Sequence, residues 1–124
     1  MEPKIITEKI SPAELATATK DNYGTMVKVD VDVEREILAL GGEWHSEGDE
    51  LLHADSSDRN KVWGCNFYPW NPVDERIQYT SLINIKPSLG HTSMQIRDKD
   101  LQQKIRVIIE KLLLATNETL PDQS

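Results

Sequence analysis

From Met26 to Glu34 the chain alternates without a break, with Val27, Val29, Val31 and Val33 on one side and Lys28, Asp30, Asp32 and Glu34 on the other. A two-residue period belongs to an extended strand, and valine packs well on a pleated surface. The stretch predicts a strand with an apolar inner face and an acidic face toward water. Ile37-Leu38-Ala39-Leu40, after the polar link Glu34-Arg35-Glu36, reads as its hairpin partner, and Gly41-Gly42 ends that partner sharply.

Lys4 to Thr7 predicts a short first strand. Ser11-Pro12-Ala13-Glu14 then supplies a capping serine, a proline at the first helical position and a glutamate three residues after the cap, so a helix is expected from about Pro12 to Asp21. Asn22-Tyr23-Gly24 closes it. A second helix, from about Ser46 to Ala54, turns Leu51 and Leu52 inward, with Gly48 against it. Asp55 to Asn60 is a loop by composition. Val62 to Tyr68 and Arg76 to Ile85 read as strands joined by Pro69-Trp70-Asn71-Pro72, and Ser93 to Arg97 as one more. Asp98 caps a last helix whose stripe is Leu101, Ile105, Ile108 and Leu112, flanked by Ile109 and Leu113. The order βα, ββα, βββα predicts an α+β fold: a mostly antiparallel sheet of about five or six strands with two or three helices packed on one face. A length of 124 residues suits one domain, placed at residues 1–116, with residues 117–124 expected to form a disordered tail.

No apolar run approaches the ~20 residues of a membrane-spanning helix, and the first residues lack the apolar core of a secretory signal. Cys65 is the single cysteine, so an internal disulfide is excluded and a cytoplasmic setting is expected. The net charge is -7, and the acids are densest between Asp30 and Asp58, where Arg35 alone opposes them. Such a surface repels phosphate backbones and anionic lipid. No nucleic-acid or membrane partner is therefore expected, and a charged partner for the face of residues 30–58 would be basic or cationic.

Imidazoles and carboxylates gather at His45, Glu47, Asp49, Glu50 and His53. Metal ligands on a helix must recur at three or four residues to share a face, and this spacing does not oblige. No metal and no cofactor are predicted. His45, Glu47 and Asp49 remain the candidate catalytic groups. Asn66 and Asn84 each fall mid-strand, where asparagine is a poor strand former, so their amides either line a ligand pocket or bind backbone. Cys65 alternates with Trp63 and Phe67, as a buried structural thiol does. Trp44 and Trp70 are set in loops, where a large ring folds onto the core or meets a partner, and they are the candidate interface residues for a homodimer. The Gly-rich phosphate loop, the Gly-x-Ser-x-Gly elbow and His-Glu-x-x-His are all missing. These features suit a small binding or interaction domain that self-associates. The alternative is a small enzyme or metal-dependent hydrolase using His45 with Glu47 or Asp49.

The blocks Gly41-Gly42-Glu43-Trp44-His45, Trp63-Gly64-Cys65-Asn66-Phe67-Tyr68-Pro69 and Ser81-Leu82-Ile83-Asn84-Ile85-Lys86-Pro87 resemble a family of small prokaryotic proteins known as a domain of unknown function. The resemblance runs from Lys4 to about Leu113 and implies no activity.

Overall fold

The computed structural model describes residues 1–121. Five strands, β1 (Lys4–Ile6), β2 (Val27–Asp32), β3 (Ile37–Leu40), β4 (Val62–Phe67) and β5 (Ile77–Gln78), form one sheet in the order β1-β3-β2-β4-β5. Every neighbouring pair is antiparallel. With the helices α1 (Pro12–Asn22), α2 (His45–Ala54) and α3 (Lys99–Leu112), the chain has the expected α+β fold. Among the described residues no helix is long and apolar enough to cross a membrane.

The β2–β3 hairpin forms where the alternation predicts it, with Val31 opposite Leu38 and Val29 opposite Leu40. Asp32 makes the turn: its Oδ1 accepts from the N–H groups of Glu34 at 2.9 Å and Arg35 at 3.0 Å, a local bond that short acidic side chains favour. Ser11 Oγ accepts from Glu14 N at 3.0 Å, so α1 starts at its predicted cap. Asp98 Oδ1 does the same for Asp100 N and Leu101 N at the head of α3.

Two helices share one face of the sheet. Leu15 and Ala18 of α1 and Ile105, Ile108, Ile109 and Leu112 of α3 pack with Val27, Val29, Val31, Leu38, Leu40, Cys65 and Phe67 in one continuous core. Removing each of the larger side chains from water stabilises the fold by about 1.5–3 kcal/mol.

The third helix takes the opposite face. Since β2 runs antiparallel to both β3 and β4, those two strands point the same way on either side of it, and β3–α2–β4 is a crossover that spans β2. Positive φ at Gly41 (+99) and Gly42 (+97) turns the chain out of β3 and up onto that face. Beneath α2 lies a small second cluster of Ile37, Ala39, Leu52 and Val62. The acidic side of β2 is thus covered: Asp30 and Asp32 are both 0% exposed. Period two shows that a strand has two faces, but water and a second layer leave the same alternation.

The predicted strand from Arg76 to Ile85 is mostly irregular. Only Ile77–Gln78 joins the sheet, and Leu82–Asn84, like Pro87–Leu89 just beyond, is a single 3-10 turn. Of the expected strand at Ser93 to Arg97, one isolated bridge forms, Thr80 to Gln95. The expected tail is held as far as it is described. Arg76 donates to Ala115 O at 3.3 Å and Glu118 O at 3.0 Å, and Trp70 Nε1 donates to Pro121 O at 2.7 Å. Residues 122–124 of that tail lie outside the described residues.

Candidate functional site

The crossover brings the start of α2 over the middle of the sheet. His45 is the first residue of α2, and its imidazole lies between Asp30 of β2 and Asn66 of β4: Nδ1 is 2.6 Å from Asp30 Oδ1 and Nε2 is 3.0 Å from Asn66 Oδ1. Asn66 Nδ2 in turn donates to Gln78 Oε1 at 2.8 Å, so a polar chain crosses α2, β2, β4 and β5. Lys28, Asn66 and Gln78 are cross-strand neighbours in register, and Asp30 and Gly64 form the next pair on the same face.

Two glycines allow this approach. A Cβ on Gly48 would overlap Asp30 Oδ2 and reach 3.2 Å from Ala39 Cβ. The glycine that weakens α2 as an isolated helix is what lets it settle on the buried carboxylate. A Cβ on Gly64 would fall 2.6 Å from Ser81 Cβ and 3.1 Å from His45 Nδ1. The bare backbone of β4 therefore makes room for both side chains.

Burial pushes the Asp30 carboxyl up to about 6, against the opposing pull of His45. Its Oδ2 finds no protein hydrogen-bond partner among the described residues. Asp49, half-buried on α2, is also raised by burial, and its nearest cation is Arg59, with Nε 3.8 Å from Asp49 Oδ2.

Beside His45 opens a cavity of about 320 Å3, lined by Lys28, Trp44, Ser46, Asn66, Thr80 and Ser81, with Leu82, Ile83 and Met94 as its apolar part. Trp44 is 64% exposed and Leu82 70% exposed, so its rim is apolar and wet. A concave, partly apolar space with a few converging polar groups is what small-molecule sites share.

Of the residues singled out in the sequence, His45 and Asn66 meet here and Trp44 stands at the rim. Glu47 does not join them. Its Oε1 accepts from Trp44 N at 2.8 Å, capping α2, and it lines a separate depression with Glu2, Pro3 and Glu50. Asp49 and His53 do not line the cavity either, and His53 Nδ1 lies 3.3 Å from Ser57 O. Among the described residues no three His, Cys, Asp or Glu side chains come together as a metal site would need.

Asn84 is fully buried and holds backbone: its Oδ1 accepts from Gly64 N at 2.8 Å, and its Nδ2 donates to Gly64 O at 3.0 Å and Met94 O at 3.0 Å. Its amide takes the place of a strand rung where β5 has already ended. Trp70 lines a different cavity with Pro69, Arg76 and Leu120. Cys65 is buried, and burial raises its thiol far above the ordinary range, so it stays an inert core residue.

Sequence reasoning missed Asp30, Lys28, Ser81 and Leu82 as members of the site. The one local signal for Asp30 is Gly48, a helix glycine whose place is explained only by something pressed against it.

Comparison with protein families matches residues 4–112 to one described as protein of unknown function (DUF5674). Neither curated proteins nor solved structures gave a match.

Proposed function

The chain belongs to the family of proteins of unknown function DUF5674, and from the geometry of the site we propose that it is a small-molecule-binding domain. Its binding site is the cavity between the start of α2 and the irregular segment after β5. The observation that carries this reading is the imidazole of His45, locked at 2.6 Å by a fully buried Asp30 in the wall of a 320 Å3 cavity. Holding a carboxylate out of water is costly, and groups perturbed in this way cluster at functional sites. The open apolar rim of Trp44 and Leu82 adds to it, since exposed large hydrophobics beside a concavity mark binding surfaces.

A carboxylate oriented on imidazole Nδ1 is also the arrangement of a general base, which favours acid–base catalysis as the second reading. A base must offer its free Nε2 lone pair to substrate. Here Nε2 faces Asn66 Oδ1, and Asn66 is tied to Gln78, which suits a fixed recognition group better than a proton acceptor. For self-association, expected from two loop tryptophans, the exposed Trp44 is the better candidate, since the Trp70 indole N–H already donates to Pro121 O.

The test is a fragment screen read by amide chemical shifts. Binding fragments are expected to move the amides of Ser46, Asn66, Thr80 and Leu82 together, and Thr80→Trp, which fills the cavity, is expected to abolish those shifts. If fragments of every charge class leave these amides still, the reading is wrong.

A further inference from the structure

We propose that the cavity takes a small amphipathic carboxylate, its flat apolar body against Trp44, Leu82 and Met94 and its carboxylate between Lys28 and the first turn of α2. This rests on the small-molecule reading above and names the ligand class.

The charge of the walls selects the ligand. In a chain with 21 acids against 14 bases, the cavity is lined by Lys28 and His45 and by no acidic residue. Asp30 stands behind the imidazole, and Glu47, the acid in the first turn of α2, lines a different depression. Lys28 thus gives the lining one full charge, opposite in sign to the chain's net charge. A cationic ligand would meet a like charge and find no counter-ion.

Lys28 is available. Among the described residues no carboxylate oxygen lies within salt-bridge distance of its Nζ, which rests 5.2 Å from the centroid of the exposed Tyr23 ring. The lysines that stabilise this fold are placed differently: Lys4 and Lys9 pair with Glu14 and Glu118, and Lys86 Nζ donates to Arg59 O and Ile83 O. Lys28 projects from the centre of the sheet with no direct ion pair, and its charge also favours the buried Asp30 carboxylate from a distance.

The second anion-binding element is backbone. His45 and Ser46 open α2, and the N–H groups of a helix's first turn carry its positive end, shared here with the Glu47 carboxylate that accepts from Trp44 N. Both residues line the cavity. Asn66, Thr80 and Ser46 add neutral polar groups between this charged end and the apolar one. The volume stands near the lower limit of small-molecule sites, roughly 300–1,000 Å3, which suits one or two fused rings with a short acidic arm.

The experiment titrates the full chain with naphthoate and with its neutral amide, by calorimetry and by the amide chemical shifts of Ser46 and Thr80. The acid is expected to bind about tenfold or more tightly than the amide, with the gap shrinking as salt is raised. Lys28→Met is expected to erase the gap, and Lys28→Arg to keep it; thermal unfolding checks that each variant is folded. Equal affinity of acid and amide overturns the carboxylate assignment while the pocket reading stands, and a gap that survives Lys28→Met overturns the place given to Lys28 as the group that holds the carboxylate. Failure of both probes, in a protein whose Ser46 and Thr80 amides do respond to cationic or other neutral fragments, overturns the assignment alone. Failure of every fragment removes both readings.

Discussion

Adding one methyl group to α2 should act against its own helix propensity. Alanine in place of glycine inside a helix is ordinarily worth about 1 kcal/mol of stabilisation. At Gly48 the added Cβ would overlap Asp30 Oδ2 and approach Ala39 Cβ to 3.2 Å, and both belong to strands in the middle of the sheet. Overpacking of this kind costs about 1–3 kcal/mol. If Asp30 swings away, its 2.6 Å bond to His45 is lost, a charge-assisted contact worth about 1.5–3 kcal/mol more. Against the propensity gain the balance is a loss of about 2–5 kcal/mol. At about 4 °C per kcal/mol for a domain of this size, Gly48→Ala should lower the Tm by about 8–20 °C. Thermal unfolding followed by circular dichroism at neutral pH measures it. The same substitution in an Asp30→Ala background, where only the 3.2 Å approach to Ala39 Cβ remains, should be close to neutral, and the difference between backgrounds is the coupling. A Tm that rises in the wild-type background would refute the close approach of α2 to Asp30.

Three further expectations rest on the same geometry. Asp30 has a folded carboxyl raised from 3.8 to about 6, so its burial penalty is absent below pH 3.8, grows through the interval and is complete above 6, where it amounts to about 3 kcal/mol. The stability of Asp30→Asn minus that of the wild type should therefore rise between pH 4 and pH 7 in denaturant titrations, and a flat difference would contradict the buried carboxylate. Asn84→Ala leaves Gly64 N, Gly64 O and Met94 O without their partners, and should cost about 2–4 kcal/mol in urea unfolding; a loss below 1 kcal/mol would mean that the amide is not the rung it replaces. Cys65, buried with its thiol raised, should react with a thiol reagent only at the rate of unfolding, and rapid native-state labelling would be the contrary result.

The elements with strong local signals were legible. The cap at Ser11, the cap at Asp98 with its apolar stripe, and the valine alternation of β2 are short-range patterns that any packing must respect. The irregular segment beyond β5 was not legible, because apolar residues such as Ile83 and Ile85 look the same in a strand and in a turn, and the arrest at Ser81 depends on its Oγ accepting from Ile83 N at 3.2 Å. The site was half legible. His45 stood out in a cluster of imidazoles and carboxylates and Asn66 as an asparagine in mid-strand, but Asp30, the partner of His45, is 15 residues away from it. Alternation alone points Asp30 to water, because nothing local distinguishes a solvated acid from one covered by a helix. Glu47 and Asp49 look like partners of His45 through nearness in sequence, whereas the crossover sets the first turn of α2 against β2.

The strand order has a consequence for crowded solution. The open edges of the sheet are β1, three residues behind Pro3, and β5, two residues ended by an irregular turn, while the six-residue strands β2 and β4 are flanked on both sides. A second copy adding itself edge to edge would gain only a few rungs of backbone pairing, too few to template a growing ribbon. The two longest strands thus lie where another chain cannot pair with them without first unfolding this one.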